Sequence, residues 1–329
     1  MAAPTNHGSL WSLWHQVFTD LFRWIGVLGR ELSSTRGRWV VLALPMLWLL
    51  AFFLVPFLLV LKISFASPAS GVQPPYTPMV GSAEDGALTL RFALAGWRLL
   101  LTDPLYITAY VNSLVFASVS TLCCLVLGYP IAYGIARARP AVRGVLLVLV
   151  ILPFWTSSLL RSYALIGILR TNGLLNQVLM GLGITDAPLT ILHTDLAVYI
   201  GISYNYLPFM ILPLTANLMR LDFTLLEAAA DLGARPLTSF LRITLPLSLP
   251  GIVAGSLLVF IPAVGEFVIP DLLGGPDALT IGRAIWTEFF SNRDWPMAST
   301  VAIAMLALIV LPMLLFEYVQ DKRLEGSRR

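Results

Sequence analysis

Six stretches of this chain are long and apolar enough to cross a bilayer, and that limits the fold more than any other feature. A hydrocarbon core of about 30 Å takes about 20 apolar residues wound as a helix. The runs are Trp39–Leu61, a segment within Pro104–Ala136 centred on Asn112–Ile135, Gly144–Leu169, Leu196–Met219, Ile243–Gly265 and Trp295–Phe316. The third is interrupted by Arg161. Charged residues make up 12% of the chain, where soluble domains carry about 25%. In lipid a spanning helix satisfies its own backbone hydrogen bonds, so the expected fold is all-α and polytopic.

Arginine and lysine set the orientation. Fourteen of them fall in one alternating set of connections: Arg23, Arg30, Arg36 and Arg38; Arg137, Arg139 and Arg143; Arg220, Arg235 and Arg242; Lys322, Arg323, Arg328 and Arg329. Six fall in the other: Arg91, Arg98, Arg161, Arg170, Arg283 and Arg293. The excess puts both termini in the cytoplasm.

Several kinds of chemistry can be struck out. The lysines are Lys62 and Lys322, neither preceded by glycine, so no P-loop exists and any ATP with its Mg²⁺ must be bound by another chain. The three histidines form no H-E-x-x-H, and no G-x-S-x-G elbow occurs. Cys123 and Cys124 are neighbours in an apolar run, which suits small core residues rather than a disulfide or zinc site. No basic cluster interleaved with aromatics suggests nucleic acid.

Ahead of the first span, Trp11, Trp14, Phe18, Leu21, Phe22, Ile25 and Leu28 recur at helical spacing, broken by His15, Asp20 and Arg23. Residues 1–36 are therefore expected to hold an amphipathic helix on the cytoplasmic membrane face, ahead of a six-span domain over 37–329. Residues 64–110 read as a long external connection with turn signals at Ser67–Tyr76 and Gly81–Ala87.

The polar stretch after the fourth span, residues 222–246, has its own pattern. Thr224 and Glu227 have capping-box spacing, and Leu225, Ala228, Ala229 and Leu232 share one helical face. Glu227, Asp231 and Arg235 follow at i, i+4, i+8, so a charge pair is expected to support the turn. Gly233 suits a left-handed C-cap and Pro236 the first turn of a second helix. The spacing predicts two short helices hinged at Gly233–Pro236. The plain alternative is a capped loop helix lying on lipid.

Glu227-Ala228-Ala229, Gly233 and Ile243-x-Leu245-Pro246 together read EAA-x3-G-x9-I-x-L-P. This resembles the cytoplasmic signature of the permease subunits of bacterial ABC importers. The resemblance implies a coupling helix that docks in a cleft of an ATPase subunit, with Glu227, Ala228, Ala229, Asp231 and Gly233 at the joint. Further blocks extend it: Asp103–Tyr106, Leu127–Arg137, Ile151–Ala164, Leu207–Leu214, Pro262–Gly275 and Arg293–Ser299 resemble polyamine permeases. The last two are nearest the putrescine-type (PotH) branch. Similarity runs from Trp39 to Tyr318. It implies a heterodimer with a second homologous permease, an ATPase dimer, a periplasmic polyamine-binding protein, and putrescine, with spermidine as the alternative solute.

The residue chemistry supports a cationic solute. Glu266 falls near the outer end of the fifth span, where a carboxylate costs about 2.5–3.5 kcal/mol to insert. Asp271 and Asp195 stand near the outer ends of their spans, and Trp155, Tyr163, Tyr204 and Tyr206 offer π faces to ammonium groups. Tyr204 and Tyr206 are two apart and point different ways on a helix, so one of them at most faces a path. Each residue also has a plainer reading. Glu266 pairs with Arg161, Asp195 and Asp271 sit at headgroups, and Gly251 and Gly255 pack helices. Two rival functions stay open: a permease for another solute such as sulfate or ferric ion, and a proton-driven transporter with Glu266 as relay.

Overall fold

The computed structural model describes residues 35–69, 71–77, 80–82, 88–90 and 92–326. The expected amphipathic segment lies outside these, apart from Thr35 and Arg36, which open the first helix. The chain divides into two compact units, up to Lys62 and from Ile63.

In the first unit α1 (Thr35–Leu49) runs through a π turn, Leu50–Leu54, into α2 (Val55–Ile63). From Val41 this is one apolar helix of 23 residues, and none of them up to Lys62 is buried. An apolar rod with no buried face is what lipid, rather than a protein core, accommodates.

In the second unit the connection after the first span forms a two-stranded hairpin, β1 (Val80–Ser82) with β2 (Leu88–Leu90), and a short helix, α3 (Ala95–Thr102). The hairpin is an addition to the all-helical expectation. Three long helices make the core: α4 (Pro104–Arg137), α8 (Asp195–Leu218) and α11 (Leu245–Val264), each packed on the other two. Asp103 starts α4 by accepting from the Leu105 amide at 2.9 Å, with Pro104 in the first turn.

Glycines bring these helices close. A Cβ on Gly251 would lie 2.7 Å from that of Asn217, and one on Gly255 would lie 2.8 Å from Met210 Sδ. The G-x-x-x-G pair is thus a packing face of α11 against α8. Cys124 is fully buried in the same core and both cysteines are free, as expected of small core residues.

The third span departs from expectation. The run Gly144–Leu169 is not one helix. α5 (Pro140–Ile151) tightens into a 3₁₀ turn, Leu152–Trp155, and Thr156 turns extended. α6 (Ser158–Leu169) and α7 (Leu174–Gly181) then leave at 90°. Pro153 has no amide to donate, which breaks the helical ladder there. Among the described residues four helices have span length and composition, or five if the bent pair counts as one span. The expected sixth span falls on α14 (Trp295–Gly326), apolar over Trp295–Val310.

Candidate functional site

Between α8 and α11 the chain forms α9 (Thr224–Asp231) and α10 (Pro236–Ser239), the two short helices expected. The start of α9 differs from expectation. Thr224 is its first helical residue rather than its cap. Asp222 Oδ1 accepts the Thr224 amide at 3.0 Å, and hydrogen bonds from Thr224 hold the Asp222 carboxyl below the ordinary range. The capping box of Thr224 and Glu227 is not formed.

The C-terminus is as expected. Gly233 adopts φ 78°, its amide donates to Ala230 O at 2.9 Å, and the Ala234 amide donates to Ala229 O at 2.9 Å. This is a Schellman motif with glycine at the left-handed position. Arg235 beyond it is extended (ψ 148°), which carries its side chain off the helical face. The expected charge pair of Asp231 with Arg235 is therefore absent. Among the described residues the ion pair formed is Asp271 with Arg283.

No residue of α9 is buried. Glu227, Ala228, Asp231 and Gly233 are exposed and Ala229 is half-buried. Leu225, Leu232 and Leu237 are exposed as well, Leu232 to 89%. This short helix leaves leucines open beside alanines and buries none of its residues in the core. From Pro236 the chain is helical without a break to Val264, 29 residues in all, through a π turn at Phe240–Thr244. One rod thus joins the exposed helix to the turn that carries Glu266.

That turn is tightly held. Tyr206 donates to Glu266 Oε2 at 2.6 Å. Oε1 accepts the Val268 amide at 3.0 Å and the Ile269 amide at 3.4 Å, closing the start of α12 (Val268–Leu273). Thr280 donates to the Glu266 carbonyl at 3.2 Å. A carboxylate offers about four acceptor positions, so three are filled and about one remains on Oε2.

Arg161 does not pair with Glu266. Its guanidinium lies over the Phe154 ring at 5.9 Å, and Nε and Nη1 are buried without a partner. Phe154 meets Phe209 at 4.8 Å, and Phe209 meets Tyr206 at 5.9 Å. The broken third span, α8 and the end of α11 thereby share one polar island set in aromatic rings.

The other expected solute residues lie apart from this island. Asp271 is tied to Arg283 at 3.2 Å. Asp195 is exposed in the first turn of α8, where the helix dipole favours an acid. Trp155 (83% exposed), Tyr163 and Tyr204 point outward, and none bonds the Glu266 carboxylate. Of the two tyrosines it is Tyr206 that turns inward. The signal for it was the two-residue offset, which separates the faces without saying which one is buried. The break at Pro153 brings Phe154 and Arg161 to it, and no helical periodicity predicts that.

Residues 125–326 match the family described as binding-protein-dependent transport system inner membrane component. The spermidine/putrescine transport system permease protein PotB of Haemophilus influenzae is 42% identical over 295 residues, 89% of this chain and 97% of that protein. PotB of Escherichia coli K12 is 43% identical over 283 residues, 85% and 96% of the two chains. These matches point to the PotB type rather than to the PotH branch that the two late blocks resemble. The fold is that of a chain of a bacterial ABC transporter involved in the import of the acidic polysaccharide alginate (TM-score 0.64, 18% identity, 90% of this chain and 98% of the other).

Proposed function

The chain belongs to the family of binding-protein-dependent transport system inner membrane components, and on that premise we propose that it is one transmembrane half of an ATP-driven polyamine importer. It is a multi-pass inner-membrane transport subunit, not an enzyme. The solute is spermidine or putrescine, the two named for its PotB relatives. Preference for putrescine rests on the likeness of Pro262–Gly275 and Arg293–Ser299 alone. The partners are a second permease, an ATPase dimer that binds ATP and Mg²⁺, and a periplasmic binding protein. Both termini face the cytoplasm, as the arginine bias requires. Residues 1–36 lie on the membrane surface, and residues 222–246 are the coupling loop of the domain 37–329.

The observation that carries this reading is the unbroken helix Pro236–Val264, with an unburied helix at one end and a hydrogen-bonded carboxylate at the other. At 1.5 Å per residue it reaches about 43 Å, enough to cross the bilayer. An ATPase that grips α9 and closes on nucleotide moves one end of this rod. The other end carries the Glu266 turn, so two arrangements of that turn can be weighted from the cytosol. Driving such an equilibrium from 1:99 to 99:1 takes about 5.5 kcal/mol of differential binding.

Membrane vesicles holding the chain with its copurified partners provide the test. Labelled spermidine or putrescine should accumulate with ATP and binding protein present. Accumulation in ATP-depleted vesicles under a proton gradient would support the relay reading and overturn this one.

A further inference from the structure

The geometry points to an aromatic track on the external side that captures the ammonium groups of the solute and leads them toward Glu266; this rests on the importer reading above. Between α13 (Ile281–Trp286) and α14 a π turn, Thr287–Ser291, shifts the helical register by one residue. Rings then meet in series. Phe267, next to Glu266 in the chain, stacks on Trp286 with centroids 4.9 Å apart, and Trp286 meets Phe290 at 4.1 Å. Phe290 meets Phe289 at 4.9 Å, Phe289 stacks on Trp295 at 5.1 Å, and Trp295 meets Tyr76 at 6.4 Å.

The far part of this run opens on a cavity of about 1220 Å³, lined by Phe289, Phe290 and Trp295 and by Pro68, Ala69, Gln73 and Pro74. The rings are not spent on packing. Trp286 is 46% exposed and Phe290 55%.

Two backbone features mark the same segment. π turns recur at functional sites, and Arg293 stands at φ 53°, a conformation that disfavours a non-glycine residue. The strained turn is held by the Asp294 amide donating to Glu288 O at 2.9 Å and by Asp294 Oδ1 accepting the Met297 amide at 2.9 Å.

Asp294 and Arg293 both line the cavity, so its lining is close to neutral and a bare ion gains little there. A polyamine gains more. Its ammonium ends are drawn to ring faces and its methylene segments lie against them. A series of rings passes such a chain along without holding it at one deep point. An interfacial aromatic belt is the simpler origin of exposed rings, but belt residues need no mutual stacking around a cavity.

The test uses the assembled importer with its binding protein. Trp286→Leu and Phe290→Leu keep apolar bulk and remove the π face, whereas Trp286→Phe and Phe290→Tyr keep it. At low solute concentration uptake by the leucine variants should fall about 3- to 10-fold, with the ring-keeping variants near wild type. A photoreactive polyamine should label the segment 286–295 in wild type, in competition with unlabelled solute. Leucine variants that transport like wild type at matched protein levels would overturn the track. A loss of uptake explained wholly by weaker binding-protein docking, with no labelling of 286–295, would overturn it too. If wild type moves no polyamine, it is the importer reading that fails.

Discussion

The two ends of the helix Pro236–Val264 are opposites. At one end α9 buries nothing, and a Cβ on Gly233 would meet no atom within 4 Å. At the other end Glu266 has both oxygens engaged and its carbonyl bonded, all within this chain. The first end is held by its own turns and leaves its leucines open. The second is complete in itself and has about one acceptor position left for a cation. On the proposed reading, a rod with one open end and one closed end is gripped at α9 and responds at the Glu266 turn.

Substitutions can break the contrast at either end. The largest effect is expected at Gly233. Gly233→Leu or Gly233→Asp forces a side chain into φ 78° and onto the docking face. Uptake should vanish while thermal unfolding of the purified subunit stays close to wild type. A variant that transports normally would remove α9 from the mechanism.

Next is Glu266→Gln, expected to lower polyamine uptake about 10-fold at matched expression. It removes the charge while leaving an acceptor for Tyr206. Equal uptake at matched protein levels would mean that the carboxylate only closes the start of α12.

Tyr206→Phe deletes one hydrogen bond to a charged group and should cost about 3- to 10-fold in uptake, read in the same assay. Its effect should largely disappear in the Glu266→Gln background, since the two groups form one contact. Additive losses would separate them.

The smallest effect is expected at Asp222. Asp222→Ala removes the side-chain bond to the Thr224 amide at the start of an exposed helix and should lower uptake by no more than about two-fold. Because the folded carboxyl titrates below its unfolded value, its support is present at neutral pH and is lost as pH falls through the acid range. The protection of the Thr224 amide, relative to its intrinsic exchange rate at each pH, should therefore fall on acidification in wild type and not in Asp222→Ala.

The sequence made some of this plain and hid the rest for physical reasons. Long apolar runs and the Gly233-x-x-Pro236 punctuation depend on local propensity, so the spans and the two short helices were legible. The cap was misassigned because Asp222 and Thr224 both fit a cap, and spacing does not rank them. The pairing of Asp231 with Arg235 assumed a helix that Gly233 ends. The break at Pro153 is the kind of kink proline produces, but a 90° turn, beyond which α6 packs against α12, is not set by local propensity. The ring contacts from Arg161 through Phe154 and Phe209 to Tyr206 lie beyond what any single helix predicts. The outward direction of Tyr204, Trp155 and Tyr163 was likewise undetermined by any single helix.

Photo-crosslinking from position 228 tests the central claim most directly. With benzoylphenylalanine in place of Ala228, irradiated membranes should yield an adduct with the ATPase subunit whose yield changes when ATP is added. Adducts with lipid alone, with and without nucleotide, would contradict the account.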